Sequence, residues 1–242
     1  MSKLDNKVAL IIGAASGIGQ AIATLFQAEG ATLALADLDR DACVDLCGPR
    51  GSAHRVDVGS AESVQALVNA VVERHGRIDV LVNSAGILNE CPITEMSPEV
   101  FDQMIAVNLR GVFLACHYVA PLMVEQRAGR IINIASQLAH KGGIGMAHYS
   151  AAKAGILGLT KSMARELAQY NVLTNAIAPG PISTPLLGDV SREWIGEKEA
   201  ELPLGRFGKA EEVAPTALLL AASPDGDLYL GQALGPNSGD VM

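Results

Sequence analysis

The feature that most constrains the fold is an alternation of short apolar segments with longer segments of helical spacing. Six short segments are rich in Val, Ile, Leu and Ala, and they read KVALIIG, ATLALAD, SAHRVDV, IDVLVNSAG, GRIINIAS and VLTNAIAPG. Continuous apolar character in most of them predicts strands that are buried on both faces. Because helical segments separate the strands, we expect a parallel sheet whose strands are joined by right-handed crossovers.

The segments between the strands have the apolar spacing of amphipathic helices. One of them begins at Ser60, a suitable helix cap, and ends at Gly76, a helix stop signal. The longest covers residues 97–126, and we expect this helix to loosen near Gly111 and Pro121. Strands and helices alternate along most of the chain, which favours one α/β domain.

The ends of the predicted strands carry residues suited to binding. In a doubly wound sheet, ligands bind at the carboxyl ends of the strands. One such residue falls at or just after each strand end: Gly13, Asp37, Asp57, Asn83, Ser136 and Pro179. We therefore predict a single α/β domain over residues 1–242, a doubly wound (Rossmann-type) parallel sheet with helices on both faces. Residues 181–209 contain several prolines and are predicted to be an excursion over the same edge that covers the substrate.

Charge and composition exclude several classes of function. The formal net charge is −8 and no basic stripe is present, which argues against a nucleic-acid partner. No stretch approaches the roughly 20 apolar residues of a membrane span, and the N-terminus lacks a signal-peptide pattern. We therefore expect a cytoplasmic protein with no membrane partner. No metal site is expected, because the four cysteines belong to no complete ligand cluster: Cys43, Cys47, Cys91 and Cys116.

The turn after the first strand reads GAASGIG and has the features of a phosphate-binding loop. Gly13, Gly17 and Gly19 allow the backbone to turn tightly and to approach a pyrophosphate at the positive end of the next helix. Their spacing differs from G-x-G-x-x-G, so the turn alone is a weak indication. Asp37 lies near the position, about 20 residues further on, at which an acid binds the adenosine ribose. A carboxylate there repels a 2′-phosphate and favours NAD over NADP, although Arg40 is close enough to offset the repulsion.

Three residues suggest acid–base chemistry on an oxygen atom. Tyr149 and Lys153 lie one helical turn apart and share a helix face, while Ser136 ends the fifth strand. A neighbouring ammonium favours the phenolate of a tyrosine, which ordinarily ionises with a pKa of about 10. We therefore predict Tyr149 as the acid/base, Lys153 as its electrostatic partner and Ser136 as a donor to the substrate oxygen. An isolated Tyr-x-x-x-Lys pair is usually a core tyrosine and a solvated lysine, and it is the presence of Ser136 and the glycine turn that favours the catalytic interpretation.

Taken in order, these motifs resemble the short-chain dehydrogenase/reductase family. The resemblance rests on the glycine turn, on NSAG, on PGPIST and on Asn108, Ser136, Tyr149 and Lys153, and it covers nearly the whole chain. It implies that Asn108 holds a water that relays protons from Lys153, and that Tyr149 and Lys153 also contact the cofactor. It implies further cofactor contacts from Ser16, Ile18, Leu38, Asp57, Val58, Asn83, Ala85, Gly86, Pro179, Gly180, Ile182 and Thr184.

The substrate pocket is predicted to be mostly apolar. Besides Ser136 and Tyr149, its expected lining is Gln137, Leu138, Met146, Leu186, Leu187 and Trp194. The leading hypothesis is an NAD-dependent dehydrogenase acting on a secondary alcohol, a sugar alcohol or the corresponding ketone. A catalytically silent NAD-binding protein is a further possibility, against which the complete set of four catalytic residues argues.

The alternative enzyme is a 3-oxoacyl-acyl-carrier-protein reductase of fatty acid synthesis, whose sequences look very similar to this one. Resemblance to these reductases implies NADPH, which Asp37 opposes, and two basic residues at the pocket mouth. Arg127 matches the first of these, whereas Tyr170 replaces the second. The family resemblance also implies a homotetramer, although the ending GQALGPNSGDVM departs from the family's usual apolar-Asp-Gly-Gly tail.

Overall fold

A computed structural model of the chain describes residues 2–188 and 192–242, without the side chains of residues 192–194. The six predicted strands are all present: β1 (Val8–Ile12), β2 (Thr32–Asp37), β3 (Ser52–Arg55), β4 (Val80–Asn83), β5 (Gly129–Ile134) and β6 (Val172–Ile177). Three two-residue strands follow: β7 (Ile182–Ser183), β8 (Gly208–Lys209) and β9 (Ala233–Leu234). The main sheet has the order β3-β2-β1-β4-β5-β6-β9 with every neighbouring pair parallel. The predicted doubly wound parallel sheet in a single domain is confirmed.

Helices cover both faces of this sheet. They are α1 (Gly17–Ala28), α2 (Asp41–Val44), α3 (Ala61–His75), α4 (Pro98–Ile105), α5 (Gly111–Gln126), α6 (Leu138–Lys141), α7 (Ala147–Leu167), α8 (Arg192–Glu201) and α9 (Ala210–Ala221). The pleat of β1 shows how the faces divide: Ala9 and Ile11 pack with α1 and α9, whereas Leu10 and Ile12 pack with α3, α5 and α7. Two apolar layers therefore enclose the sheet, as a buried parallel sheet requires.

The direction of the strand order reverses between β1 and β4. From β1 the chain first builds outwards through β2 and β3, and then returns to place β4 on the other side of β1. In open α/β sheets such a reversal leaves a crevice at the carboxyl ends of the two strands, and ligands bind there. The glycine turn follows β1 and the NSAG segment begins in β4, so both border this crevice.

The predicted helix signals are found where the sequence places them, with one exception. Ser60 accepts a hydrogen bond from the main-chain nitrogen of Ser63 at 3.2 Å, and Gly76 has a φ of 75° at the end of α3. The long helix changes to a π-helical segment over residues 106–110, directly before Gly111. Pro121, however, lies inside an unbroken α5. Pro121 and His117, whose carbonyl group is left without its helical partner, are both exposed, so water can satisfy that carbonyl.

The expectation that no segment approaches a membrane span needs correction. Among the described residues, the continuous helix Pro98–Gln126 is long and apolar enough to cross a membrane by length and composition. A core helix of an α/β protein can have the same length and apolar composition, because its apolar side chains are buried against the sheet. This helix contacts α3, α7 and β4, and 39% of its most apolar window is buried within the protein. Its composition is therefore weak evidence for a membrane.

Residues 181–209 leave the sheet at the carboxyl end of β6 and return at α9. They form β7, a short 3-10 turn at Pro185–Leu187, α8 and β8, and the two strands pair in parallel. Residues 189–191 lie outside the described part of the chain. The segment starts from the edge of the sheet that carries the predicted site residues, and its substrate-covering role remains a prediction.

Candidate active site

The glycine turn is too tightly packed for side chains. Gly13 has a φ of +84°, and a Cβ placed on it would lie 2.4 Å from the main-chain nitrogen of Ala85. A Cβ on Gly19 would lie 1.9 Å from the carbonyl oxygen of Gly13. Gly17 also has a positive φ, of +55°, and the position of its missing Cβ is 3.3 Å from the side chain of Thr184. Five residues predicted to bind the cofactor therefore meet at this turn: Gly13, Gly17, Gly19, Ala85 and Thr184.

The N-terminus of α1 has the geometry of an anion site. Ser16 occupies the cap position, but its side chain makes no capping hydrogen bond to the helix. The first main-chain N–H groups of a helix lack helical partners and carry a partial positive charge. Ile18, the second residue of α1, packs against the apolar layer formed with α9 and anchors this end of the helix. The turn can therefore hold a pyrophosphate, and its residues fit a dinucleotide.

Asp37 is fixed beside the same turn. One carboxylate oxygen accepts a hydrogen bond from the main-chain nitrogen of Ala15 at 3.0 Å, and the other accepts one from Asp39 at 3.2 Å. Leu38 is 61% exposed next to it. Arg40 donates to the carbonyl oxygen of Ala53 and to Asp41, each at 3.2 Å. The guanidinium group is thus held towards β3 and a neighbouring acid.

The middle of the crevice brings together three residues predicted to bind the cofactor. Val58, Asn83 and Ala85 line one small cavity, together with Ile12, Val107, Gly111 and Val112. The amide of Asn83 points into the interior, where it donates to Asn133 Oδ1 at 2.9 Å. Because the Asn83 amide is engaged there, a contact from Asn83 to a ribose would come through its main chain. Asp57 lies nearby at the end of β3, and its carboxylate accepts a hydrogen bond from Gly59 at 2.8 Å.

Asn108 lies at the centre of the π-helical segment and is fully buried. Its side-chain oxygen accepts from the main-chain nitrogen of Ile87, and its side-chain nitrogen donates to the carbonyl oxygen of the same residue, both at 2.8 Å. A Cβ on Gly86 would lie 3.2 Å from Asn108 Oδ1 and 3.8 Å from Lys153 Nζ. Asn108 and Lys153 therefore flank Gly86. The predicted water relay would have to use the main-chain carbonyl of Asn108, because its amide already pairs with Ile87.

Ser136, Tyr149 and Lys153 converge at the carboxyl end of β5. Lys153 Nζ donates to the carbonyl oxygen of Ile134 at 2.8 Å and lies 5.6 Å from the centre of the Tyr149 ring. Burial raises the pKa of Tyr149 to about 12, an effect that a hydrogen bond with Ser136 partly opposes. Burial also lowers the pKa of Lys153 to about 8. In the protein alone the phenol of Tyr149 is therefore protonated at neutral pH. The effect of burial on its pKa is larger than the expected stabilisation of the phenolate by Lys153.

Two of the predicted substrate residues pack directly around Tyr149. Leu138 and Met146 belong to the same small apolar cluster as Tyr149 and Met104. The main-chain nitrogen of Leu138 donates to Ser136 Oγ at 3.1 Å, which orients that hydroxyl. The phenol and the hydroxyl that are predicted to be catalytic thus lie beside an apolar wall.

Three other predicted substrate residues belong to the 181–209 segment. Leu186 and Leu187 lie in the 3-10 turn, and the Leu186 side chain is 45% exposed. Trp194 falls in α8, but its side chain lies outside the described part of the structure.

The segment predicted to hold the nicotinamide lies between the active site and the C-terminal tail. The carbonyl oxygen of Pro179 accepts from the main-chain nitrogen of Gln137 at 3.0 Å. Gly180 donates to the carbonyl oxygen of Pro236 at 3.1 Å, and a Cβ on Gly180 would lie 2.6 Å from the Cα of Asn237. Ile182 is 7% exposed and packs in the apolar layer of α9.

Sequence reasoning did not place the tail at this end of the site. The carboxylate of Asp240 accepts hydrogen bonds from the side chains of Gln137 and Lys141. Gln137 directly follows Ser136, and Lys141 lies one helical turn beyond Gln137. The only sequence signal was the polar ending itself, which departs from the apolar tail expected from the family resemblance.

The two positions compared with carrier-binding residues lie on the opposite edge of the sheet. Arg127 and Tyr170 precede β5 and β6, whereas Ser136 follows β5. The guanidinium group of Arg127 donates to the carbonyl oxygen of Gln169 at 3.4 Å. A strand of six residues spans about 20 Å. Within one chain, therefore, these residues do not border the predicted pocket.

Comparison with known proteins identifies the family. Residues 13–239 match the family described as Enoyl-(Acyl carrier protein) reductase. The fold superposes on the crystal structure of a short-chain type dehydrogenase/reductase from Mycobacterium marinum with a TM-score of 0.94, at 31% identity over 99% of this chain and 97% of that one. The chain belongs to the short-chain dehydrogenase/reductase family. It is therefore an oxidoreductase that uses a nicotinamide cofactor.

Two curated relatives of this short-chain dehydrogenase/reductase differ in their substrates. The 3-oxoacyl-(acyl-carrier-protein) reductase FabG of Thermotoga maritima is 41% identical over 99% of this chain and 100% of its own length. The D-threitol dehydrogenase of Mycolicibacterium smegmatis is also 41% identical, over 91% of this chain and 87% of its own length. Similarity at this level establishes the chemistry of the family, and both substrate classes are represented among the relatives.

Proposed function

We propose that the protein transfers a hydride between NAD(H) and a secondary alcohol, such as a sugar alcohol, or the corresponding ketone. The observation that carries the proposal is the position of Asp37. Its carboxylate is fixed by Ala15 beside the glycine turn, where an adenosine ribose would lie. A 2′-phosphate at that point would meet a negative charge, and Arg40 is engaged with Ala53 and Asp41.

The catalytic residues fit the reduction of a ketone. When bound, the nicotinamide supplies the hydride in this direction. The Tyr149 phenol keeps its proton at neutral pH, because burial raises its pKa to about 12, and it is therefore ready to donate that proton to the substrate oxygen. Ser136 is placed to donate a hydrogen bond to the same oxygen. Lys153 adds positive charge behind the phenol while its own nitrogen is held by Ile134.

The choice of a small alcohol or ketone rests on a relative and on the pocket. D-threitol dehydrogenase, at 41% identity, acts on a sugar alcohol by its name. The wall beside Tyr149 is formed by Leu138 and Met146, and Gln137 adds a polar group next to Ser136.

The second candidate is a 3-oxoacyl-acyl-carrier-protein reductase. Several curated relatives carry this name, including the one from Thermotoga maritima, and their similarity to this chain supports the candidate. Asp37 opposes the NADPH that the family resemblance associates with such reductases. Arg127 and Tyr170 do not decide between the two candidate functions, because they lie away from the pocket of their own chain.

The test is oxidation of NADH and NADPH by the purified protein with small ketones, ketoses and a 3-oxoacyl thioester. We expect NADH with a small ketone or ketose to give the higher kcat/KM. Preferential use of the thioester with NADPH would overturn the proposal in favour of the acyl-chain reductase. Cofactor binding without turnover of any compound would instead favour a silent binding protein.

We further propose a cytoplasmic homotetramer. The α4–α5 helix exposes Phe101 and Phe113, which are 39% and 46% accessible, and burial of such side chains between chains would be favourable. Light scattering coupled to gel filtration measures the assembly, and a monomeric mass at micromolar concentration would contradict it.

A further inference from the structure

The C-terminal tail, residues 235–241, ties together three segments around the predicted substrate. Gly180 donates to Pro236 at 3.1 Å, and Leu204 donates to Ser238 at 3.2 Å. The tail thereby joins the nicotinamide segment to the 181–209 excursion. Its third attachment is Asp240, which accepts hydrogen bonds from the side chains of Gln137 and Lys141. An ion pair thus holds the tail to Lys141, and a hydrogen bond holds it to Gln137, the residue that follows Ser136.

This attachment determines which way the Gln137 amide points. An ionised carboxylate only accepts hydrogen bonds, so the amide group must present its NH₂ to Asp240. Burial raises the pKa of Asp240, but the hydrogen bond and charge of Lys141, the charge of Lys198 and the hydrogen bond from Gln137 together outweigh burial, and the net pKa is lowered. The carboxylate is therefore ionised at neutral pH. Gln137 Oε1 is left as a hydrogen-bond acceptor that faces away from Asp240.

That oxygen has no donor among the described residues. Gln137 is only 4% exposed, and its Oε1 is buried without a hydrogen-bond partner. A buried acceptor without a donor is destabilising, so such a group calls for an explanation. The main-chain nitrogen of Gln137 is bound to Pro179, and Gln137 directly follows Ser136. The unpaired oxygen therefore belongs to a residue fixed between the catalytic serine and the nicotinamide segment.

We propose that Gln137, oriented by Asp240, accepts a hydrogen bond from a substrate hydroxyl on the carbon next to the reacting carbon. The substrate class is then an α-hydroxy ketone, or a vicinal diol in the direction of oxidation. This inference rests on the proposed function, because it assumes that Ser136 and Tyr149 bind the reacting oxygen. It makes Gln137 a specificity-determining residue and Asp240 a positioning residue.

The experiment compares hydroxyacetone with butanone, which have similar shapes and differ by a hydroxyl in place of a methyl group. NADH oxidation gives kcat/KM for each ketone, and the measured quantity is their ratio. Since the two ketones also differ in intrinsic reactivity, the ratio of the wild-type protein is compared with that of variants. Gln137→Met keeps the size of the side chain and removes both its donor and its acceptor. We expect the ratio to fall about tenfold or more in this variant.

Asp240→Asn tests the orientation with almost no change in shape. The new amide can donate to Gln137 Oε1, which would satisfy the oxygen from within the protein. We expect the preference for hydroxyacetone to fall as in Gln137→Met, with the loss in kcat/KM confined to that ketone. A matched control is Asp45→Asn, an exposed carboxylate that follows α2, which should leave the ratio unchanged.

The outcomes separate the two proposals. Ratios that stay within twofold of wild type in both folded variants, judged by their melting temperatures, would overturn the role of Gln137 while leaving the proposed function intact. If the wild-type protein reduces neither ketone but reduces a 3-oxoacyl thioester, the proposed function fails and this inference fails with it. An equal loss on both ketones would show that Gln137 and Asp240 serve only to hold the structure.

Discussion

Lys153 Nζ lies 5.6 Å from the centre of the Tyr149 ring and is held there by a hydrogen bond to the end of β5. Both side chains are buried, and burial favours the neutral form of each. The pKa of Tyr149 rises to about 12 and that of Lys153 falls to about 8. The pair is therefore arranged as a proton donor beside a weakly basic amine, which fits reduction of a carbonyl group.

Replacing Tyr149 by phenylalanine removes the proposed proton donor and little else. We expect kcat to fall by a factor of about 100 to 10,000, the usual contribution of a positioned acid. The melting temperature should change little, because the ring remains in its apolar cluster with Leu138 and Met146. Tyr118→Phe, on α5, serves as the control and should retain wild-type rates. A Tyr149→Phe enzyme with full activity would remove the acid role.

Burial of Lys153 makes stability depend on pH in a defined window. Its pKa is about 8 in the folded protein and 10.5 as an ordinary lysine. Between these values the unfolded chain binds more protons, so the free energy of unfolding rises as the pH increases. Lys153→Met lacks this titration. From pH 7 to pH 9.5 we expect the unfolding free energy of wild type to gain about 2 kcal/mol relative to the variant.

Denaturant unfolding at several pH values measures this difference. Other titrating groups contribute to both proteins and cancel in the comparison. A difference that stays flat from pH 7 to 9.5 would mean that Lys153 keeps its ordinary pKa in the folded state. Activity should be lost in Lys153→Met whichever way the stability changes.

Asp37→Asn should weaken the expected preference for NADH over NADPH. The asparagine oxygen can still accept from Ala15, so the turn keeps its shape, while the charge that repels a 2′-phosphate is gone. We expect the ratio of kcat/KM for NADPH to that for NADH to rise about tenfold, since a like-charge contact at partial exposure is worth roughly 1–2 kcal/mol. Asp41→Asn, which alters only the partner of Arg40, should have a smaller effect. An unchanged ratio in Asp37→Asn would show that this carboxylate does not face the ribose.

The sheet was predictable from sequence because its central strands are continuous apolar runs. β1 and β4 are buried along their whole length, and such short continuous apolar runs are typical of strands in a sheet that is covered on both faces. β9 has only two residues, too few to show a period. Asn175 fixes its position by donating to the carbonyl oxygen of Tyr229 and accepting from the main-chain nitrogen of Gln232. That contact joins residues more than fifty positions apart and leaves no local signal.

α9 (Ala210–Ala221) was also absent from the predicted elements. Its sequence AEEVAPTALLLA is rich in the good helix formers Ala, Leu and Glu, and most of its buried residues follow helical spacing: Ala210, Val213, Ala214, Ala217, Leu218 and Ala221. The sequence therefore carried a helix signal that the prediction missed, and only Pro215 argues against it. The buried face packs against α1 over the sheet.

The parts of the site that depend on the spacing of nearby residues were predictable from sequence. The parts that depend on contacts between distant segments were not. One helical turn between Tyr149 and Lys153 is enough to predict a shared face. The inward direction of the Asn83 amide depends on Asn133, a partner on a neighbouring strand. The contact between Asp240 and Gln137 depends on where the tail returns, and no periodic pattern encodes that path.

Asn108 should couple the π-helical segment to the loop after β4. Its amide pairs with both main-chain groups of Ile87 at 2.8 Å, so Asn108→Ala would leave one donor and one acceptor without partners. We expect this variant to lose about 1–3 kcal/mol of stability, and the Ile87 amide to lose hydrogen-exchange protection. Ser97→Ala removes the cap of α4 and should cost a similar amount of stability without changing exchange at Ile87.

Because Gly86 lies between Asn108 and Lys153, loosening this loop should also lower kcat/KM. Full protection of Ile87 in Asn108→Ala would mean that the loop is held by other contacts and that Asn108 acts on the reaction through its main chain alone.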